Sequence, residues 1–268
     1  MTEKLSSVEA YVSRVKEIIS DWDPRTSPWF RGEPDVKDTP LLPSLYRRTA
    51  DGSELNENRI VQSFRRMGPA FSHYRTPDVH ATDEWLFLMQ HLRVPTRLLD
   101  WTEGALIGLY FALECTDPVV WLLNPDKLNR LSTSHEISPG AFPLTWFRPQ
   151  DGTVNIGHEN IRGTWETDKA GVDLPVAIKP TYIHPRMSAQ KSCFTVHGKK
   201  KQPIPELVPG DIVVKLPIDG AEASRIRRDL AMLGVTHTTV FPEGEYLARE
   251  LREAAVLEAH PHAKSGGQ

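Results

Sequence analysis

An arginine in an apolar segment is the first residue of this sequence whose type suggests chemistry. Arg31 follows Phe30 and directly precedes Gly32. A guanidinium at the end of a strand can hold a phosphate or a carboxylate through two parallel hydrogen bonds. A buried salt bridge to Asp100 or Glu84 would account for Arg31 equally well, because an unpaired buried arginine is costly. Both interpretations remain open at this point.

A second group of polar residues surrounds Pro95. Gln90 and His91 end a predicted helix, and Thr96 and Arg97 begin the next extended segment. We expect these four side chains to meet in one cleft. His91 has the titration range of a general base. Alternatively, its cationic ring only stabilises the C-terminus of the helix.

Asp100, Trp101 and Thr102 lie where a strand is predicted to pass into a helix. We expect Asp100 to orient Arg97 or Arg31, and Trp101 to offer a flat face to a base such as adenine. Thr102 is most simply the N-cap of the following helix.

Four residues in the C-terminal half complete the candidate site. Arg186 and Gln190 are four positions apart, so on a helical turn both would face one ligand. Gln190 can donate and accept hydrogen bonds, as base or amide recognition requires. Glu243 and Glu245 follow a predicted final strand and are either a catalytic carboxylate pair or ordinary acids of a first helical turn.

A basic stretch without any acid extends from Lys179 to Pro205. It predicts either a nucleic-acid contact or a solvated hairpin. Its lysines are Lys179, Lys191, Lys199, Lys200 and Lys201.

Three segments of the sequence, in this order, resemble the FRG domain family. They are WFRGE at 29–33 with PSLYR at 43–47, QHLRVPTRLLDWT at 90–102 leading into the apolar run 105–112, and RMSAQKSCFT at 186–195. The resemblance spans about residues 8 to 245. The family usually has an aromatic residue and glycine at Leu92 and Arg93, and glycine at Lys191 or Ser192. The resemblance implies where a shared site lies, but the family name carries no assigned chemistry.

The elements that must position these residues alternate irregularly between helix and strand, which predicts a single mixed α/β (α+β) domain with a central mixed sheet flanked by helices. We expect an N-terminal helix within 1–22, opened by Ser6 and Glu9 at capping-box spacing, the main domain over 23–258 with a loop-rich insertion at about 132–171, and a disordered tail at 259–268. The predicted helices cover 54–74 with a kink at 68–69, 83–91, 103–113, 219–233 and a closing segment from 242, and the predicted strands cover 28–32, 119–123, 176–182, 212–216 and 238–241.

Composition excludes several classes of protein. The net charge is −3, from 32 basic and 35 acidic residues, so any polyanion site must be a local patch. The two cysteines, Cys115 and Cys193, have no metal-ligand spacing, and no dinucleotide, P-loop or α/β-hydrolase motif occurs. We therefore expect a cytoplasmic protein without a metal, a secretory signal or a membrane span.

The function expected from these residues is a nucleotide-binding enzyme, with ADP-ribosyl transfer from NAD as its most concrete form by analogy with ADP-ribosyltransferase folds. In that form Arg31 holds the NAD phosphates, Trp101 stacks on a ring, Gln190 or His91 positions the acceptor, and Glu243 or Glu245 stabilises the ribosyl cation. The expected ligand-binding residues are Arg31, Gly32, Gln90, Thr96, Arg97, Asp100, Trp101 and Arg186, and the expected catalytic residues are His91, Gln190, Glu243 and Glu245.

The biological setting and two other functions complete the expectations. The enzyme would act on nucleic acid or protein in bacterial stress or phage defence, as a toxin or an antiviral factor. One alternative is a non-catalytic module that recognises a nucleotide or a nucleic-acid end and reports it to a partner protein. The other alternative is a hydrolase or nuclease that uses His91 and Asp100.

Overall fold

An open sheet with six antiparallel strands organises the residues that the structure describes. The computed structural model describes residues 3–35, 40–70, 76–77, 82–133, 144–145, 173–180, 182 and 184–259. The strands are β1 Trp29–Pro34, β2 Leu98–Thr102, β3 Pro118–Leu123, β4 Leu144–Thr145, β5 Val176–Lys179, β6 Ser192–Val196 and β7 Val213–Pro217. Their order is β4-β5-β6-β2-β1-β3-β7, and only the two-residue β4 is paired parallel, with β5.

Helices lie between and around these strands, which confirms the predicted mixed α/β class and a single domain. They are α1 Val8–Ile19, α2 Glu57–Met67, α3 Thr82–His91, α4 Ala105–Ala112, α5 Pro125–Thr133, α6 Pro185–Ala189, α7 Ile204–Leu207, α8 Ala223–Met232, α9 His237–Val240 and α10 Gly244–Ala259. Short 3-10 turns cover Ser44–Tyr46, Gly68–Ala70 and Gly220–Glu222. Within the described part of the chain, no helix has the length and apolar character needed to cross a membrane.

The apolar side chains of the sheet pack on both of its faces. On one face, Phe30 and Val120 pack with α1, α4 and α8. On the other face, Trp29, Trp101 and Trp121 form a separate core. The third core lies under α3, where Phe87 stacks on Phe194 of β6 at 5.1 Å between ring centroids. This last core fixes the end of α3, and with it Gln90 and His91, beside the sheet.

Strand β1 is longer than the sequence predicts because Gly32 does not end it. Gly32 pairs with Val120 of β3, and the strand continues to Pro34. A Cβ atom at Gly32 would lie 2.1 Å from the backbone nitrogen of Ala112 and 2.3 Å from the carbonyl oxygen of Gly108. Glycine is therefore required here so that α4 can lie directly against β1.

The sheet opens between β1 and β2. These strands pair only at Phe30 and Thr102, whereas β2 pairs with β6 along all five of its residues. Beyond that single pair, the Nη1 atom of Arg31 donates to the carbonyl oxygen of Asp100 at 2.8 Å. A side chain therefore satisfies a backbone acceptor of β2 where the ladder has ended.

Some local predictions about the ends of helices are wrong. The N-cap of α1 is Ser7, not Ser6, because the Ser7 hydroxyl accepts from the Ala10 amide. Gly104 occupies the N-cap position of α4 in place of Thr102, and the Thr102 hydroxyl accepts from the Gly104 amide at 2.9 Å. This short turn begins the chain reversal before the helix starts.

The predicted strand at 238–241 is a helical turn, α9, because Thr236 caps it reciprocally with Thr239. The closing helix begins at Gly244, two residues after the predicted position. Residues 134–143 and 146–171 of the predicted insertion, and 260–268 of the predicted tail, lie outside the described residues.

We predict that Gly32→Ala destabilises the domain by about 3 kcal/mol or more, because the new methyl group meets backbone atoms of α4 that cannot move independently. Urea unfolding measures the change. The matched control is Gly210→Ala, where a Cβ atom would meet nothing within 4 Å. Equal stability of the two variants would contradict this account of the β1–α4 contact.

Candidate functional site

A cleft of about 320 Å³ lies where β1 and β2 separate. Its walls come from α3, α4, α6 and the segment after α9. The structure brings together in it the predicted residues Arg31, Gly32, Gln90, His91, Asp100, Trp101, Arg186 and Gln190, which are separated by up to 159 positions in the sequence.

Asp100 is the carboxylate of this cleft. It stands in the middle of β2, where the other four residues are buried, and its side chain is 58% exposed towards the cleft. Surrounding protein nevertheless removes hydration from the carboxylate and raises its pKa, while Arg31 and the hydrogen bond from Gln90 act in the opposite direction. An acid at the centre of a sheet is otherwise unfavourable, which marks Asp100 as a functional candidate.

Gln90 and Thr96 hold Asp100 in place. The Thr96 hydroxyl accepts from the Leu98 amide at 3.1 Å and donates to Oε1 of Gln90. The amide of Gln90 therefore directs Nε2 to Asp100 Oδ2, at 2.6 Å. Thr96, which was predicted to bind a ligand, is buried and does not line the cleft, and its hydroxyl positions Gln90.

Arg31 forms ion pairs and also lines the cleft. Its Nε donates to Glu33 Oε2 at 3.1 Å, and its Nη1 lies 3.8 Å from Asp100 Oδ2. Glu33 in turn accepts from the Leu41 amide at 2.9 Å. The partners are thus Glu33 and Asp100, and the side chain is still 18% exposed and lines the cleft.

Arg97, which was predicted to bind a ligand, does not line the cleft. It is buried, and its Nε donates to Glu57 Oε1 at 2.7 Å while its Nη2 donates to Glu57 Oε2. This two-point ion pair fastens α2 to the start of β2. No local sequence pattern indicates Glu57, 40 residues away, as the partner.

Trp101, which was predicted to stack on a ligand ring, is only 3% exposed, and its Nε1 donates to Thr195 Oγ1 at 3.0 Å. The half-buried rings that line the cleft are Phe111 and Phe241, with centroids 5.7 Å apart and planes at 89°. They supply the aromatic surface that sequence reasoning assigned to Trp101.

Arg186 and Gln190 face the same side of α6 and its C-cap, as their spacing predicts. The Arg186 guanidinium lies over the Phe241 ring at 5.2 Å, and its Nε donates to Glu243 Oε1 at 2.6 Å. Gln190 Nε2 donates to the carbonyl oxygen of Val240 at 3.2 Å. These contacts attach the α9 segment to the wall of the cleft.

The two acids predicted to be catalytic do not line the cleft. Glu243 stands behind Arg186 and neutralises it, and Glu245 is exposed in the first turn of α10. Both acids lie at the start of α10 and not at the end of a strand. The described residues 238–241 contain the helical turn α9 in place of the expected final strand.

His91 lies against His184, with ring centroids 4.1 Å apart. Burial, followed by the neighbouring His184 and Arg186, lowers the pKa of His91 to about 4. At neutral pH the ring is uncharged. It therefore does not stabilise the C-terminus of α3 with a positive charge.

Arg93 is a charged cleft residue that sequence reasoning missed. It is exposed, lines the cleft and has a left-handed backbone with φ of 60°. Lys191 also has a positive φ, of 46°. The resemblance implied glycine at Arg93 and at Lys191 or Ser192, and glycine is the residue best suited to a positive φ.

The lysines of the basic stretch are in different environments. Lys179 pairs with Glu103 at 2.5 Å, whereas Lys199, Lys200 and Lys201 are exposed in the loop after β6. Among the described residues, no group of three or more His, Cys, Asp or Glu side chains is arranged to hold a metal ion.

The fold and the cleft define a mixed α/β domain whose polar residues gather where its sheet opens. The FRG domain model matches residues 26–119, which contain β1, α2, α3, β2 and α4 and therefore Arg31, Gln90 and Asp100. This part of the chain therefore resembles the FRG domain family. No curated protein and no solved structure matches it.

We predict that folding becomes less stable as the pH falls from about 6.5 to about 4, in part through His91. In this range the unfolded chain binds a proton at His91 that the folded protein excludes, so stability present above pH 6.5 is lost towards pH 4. Urea midpoints measured against pH should fall less steeply for His91→Gln than for the unsubstituted protein. Parallel curves would contradict the lowered pKa.

The ion pair of Arg97 gives a prediction that compares the stability contributed by a buried ion pair with that of an exposed one. Glu57→Gln leaves a buried guanidinium uncompensated and should destabilise the protein by about 3–5 kcal/mol. Glu17→Gln removes the exposed partner of Arg14 and should cost about 0–1 kcal/mol. Denaturant unfolding compares the two variants, and a small effect of Glu57→Gln would mean that Arg97 is not held as described.

Proposed function

We propose that the cleft binds a nucleotide-type ligand and transfers ADP-ribose from NAD to an acceptor. The observation that carries the proposal is the contact of Arg31 with Asp100 at the opening of the sheet, in a cleft that the half-buried rings of Phe111 and Phe241 also line. This combination supplies a cation for phosphate, an aromatic surface for a ring and a carboxylate for a developing positive charge.

Each part of the ligand has a matching group. Arg31 would bind a phosphate oxygen with the guanidinium surface that faces the cleft. Phe111 and Phe241 would contact the nicotinamide or adenine ring, and Arg186 above Phe241 adds a second cation whose charge Glu243 balances. In this assignment the aromatic role predicted for Trp101 passes to the two phenylalanines.

Asp100 takes the role that the sequence assigned to Glu243 or Glu245. In the reaction, the bond between the ribose C1′ and the nicotinamide nitrogen breaks, nicotinamide leaves with the electron pair, and an acceptor nucleophile attacks C1′. Positive charge develops on the ribose as that bond breaks. The Asp100 carboxylate faces the cleft, where its negative charge would stabilise this developing charge. Gln190 and the neutral His91 line the same cleft, where they would orient the acceptor.

The test is consumption of NAD and release of nicotinamide, with water as the simplest acceptor. We predict that Asp100→Asn lowers the turnover at least about a hundredfold while NAD binding is kept, because Asn preserves the shape and the contact with Gln90 but removes the charge. Arg31→Lys should weaken NAD binding and also lower the melting temperature, because lysine cannot bridge Glu33 and the Asp100 carbonyl together.

The matched control is Asp211→Asn, which removes an exposed acid paired with Lys127 far from the lining of the cleft. It should leave turnover and stability unchanged. Full turnover in Asp100→Asn would refute the role of this carboxylate. Nucleotide binding by the unsubstituted protein without any NAD consumption would refute the transferase.

A non-catalytic recognition module is the second candidate, and one observation favours it. The polar groups of the cleft floor, from Thr96 through Gln90 and Asp100 to Arg31, already satisfy one another, as expected of a rigid binding surface. Such a module would bind a nucleotide or a nucleic-acid end and present it to a partner protein, with the exposed lysines Lys199, Lys200 and Lys201 as an additional contact for nucleic acid. In that case Asp100→Asn would change the affinity for the nucleotide, and no NAD turnover would be present to change.

A further inference from the structure

A second cavity, of about 240 Å³, adjoins the cleft on the side of β1 and β2 that carries the Ser44–Tyr46 turn. It shares Arg31, Gln90, Arg93 and Asp100 with the cleft. Ser44 and Arg47 complete its polar lining. Three guanidinium groups therefore border one small cavity.

The balance of charge in this cavity is positive. Arg31 is offset by Glu33 and Asp100. The Nε atom of Arg47 donates a hydrogen bond to the carbonyl oxygen of Leu42, at a distance of 3.0 Å. Within the described residues, Arg47 and Arg93 form no ion pair that offsets their charge.

The pKa of Arg47 also depends on the nearby Arg31. Burial, followed by the positive charge of Arg31, lowers the pKa of Arg47, while Glu33 acts in the opposite direction. Cations that are crowded in this way repel each other in the empty protein. A bound anion relieves that repulsion, so the arrangement favours an anionic occupant.

We propose that this cavity is a diphosphate-binding subsite in which Arg31, Arg47 and Arg93 hold the phosphate groups of the ligand while its ring lies in the adjoining cleft. The inference rests on the proposed function and extends it, because it adds Arg47 and Arg93, which lie outside the predicted site, to Arg31 as residues that hold the diphosphate. The cavity has several times the volume of one water molecule, about 30 Å³, and is large enough for a pyrophosphate group.

The left-handed backbone of Arg93 makes a selective test available. Arg93→Gly removes the guanidinium and places the residue best suited to a φ of 60° at this position, so the variant should fold at least as stably as the unsubstituted protein. Lys191→Gly makes the same kind of change, loss of one cation at a φ of 46°, at a residue that lines neither cavity. Arg47→Gln and Arg48→Gln form a second pair of adjacent arginines, of which only Arg47 lines the cavity.

The experiment is a calorimetric titration of the full chain with inorganic pyrophosphate at low ionic strength. Arg93→Gly and Arg47→Gln should each weaken binding about tenfold or more, as expected for the loss of a charged hydrogen bond. Lys191→Gly and Arg48→Gln should stay within about twofold of the unsubstituted protein. Thermal unfolding of all four variants verifies that they are folded.

Two results would overturn the subsite. The first is an unsubstituted protein that does not bind pyrophosphate. The second is equal weakening by the cavity variants and their controls, which would show that net charge alone attracts the anion. An arginine-dependent pyrophosphate site in a protein that consumes no NAD would support the subsite and refute only the transferase, so the two proposals can fail separately.

Discussion

The bond from Arg31 to the backbone of Asp100 allows the sheet to open without leaving a polar group unsatisfied. Strands β1 and β2 pair at one position and then part, which would expose the carbonyl of Asp100 in the middle of the domain. The guanidinium occupies the place of the missing strand partner, and Glu33 holds it from the other side. The same arginine thus stabilises the opening and supplies a positive charge to the cleft that the opening creates.

The contact of β1 with α4 positions one wall of that cleft. Gly32 and Gly108 let the strand and the helix meet backbone to backbone, and Gly108 approaches Phe30 so closely that a Cβ atom would lie 2.6 Å from the Phe30 Cβ. This close contact brings Phe111 to the wall of the cleft. Gly32 therefore serves the site through packing, although the sequence suggested that it approaches a ligand.

Some charged groups near the cleft are fully paired within the protein, and others can still form a hydrogen bond or an ion pair with a ligand. Arg97 with Glu57 is buried and structural, and Arg186 with Glu243 fixes the α9 segment. Asp100 and Arg93 instead face open space in the cleft. This division explains why a polar residue near an apolar element is not necessarily a ligand contact: the partner that satisfies it is often supplied by a distant part of the chain.

Local sequence patterns determined the elements, and only tertiary structure determined the roles of the polar residues. The apolar run at 119–123 and the spacing of Arg186 and Gln190 predict their strand and their shared face, because both depend on neighbours along the chain. The end of β1 at Pro34, the pairing of Arg97 with Glu57 and the burial of Trp101 depend on contacts across 40 to 94 positions, which no local pattern contains. The three motifs located the cleft because polar groups at the ends of elements gather where the elements meet, but the choice of Asp100 as its carboxylate required the opening of the sheet.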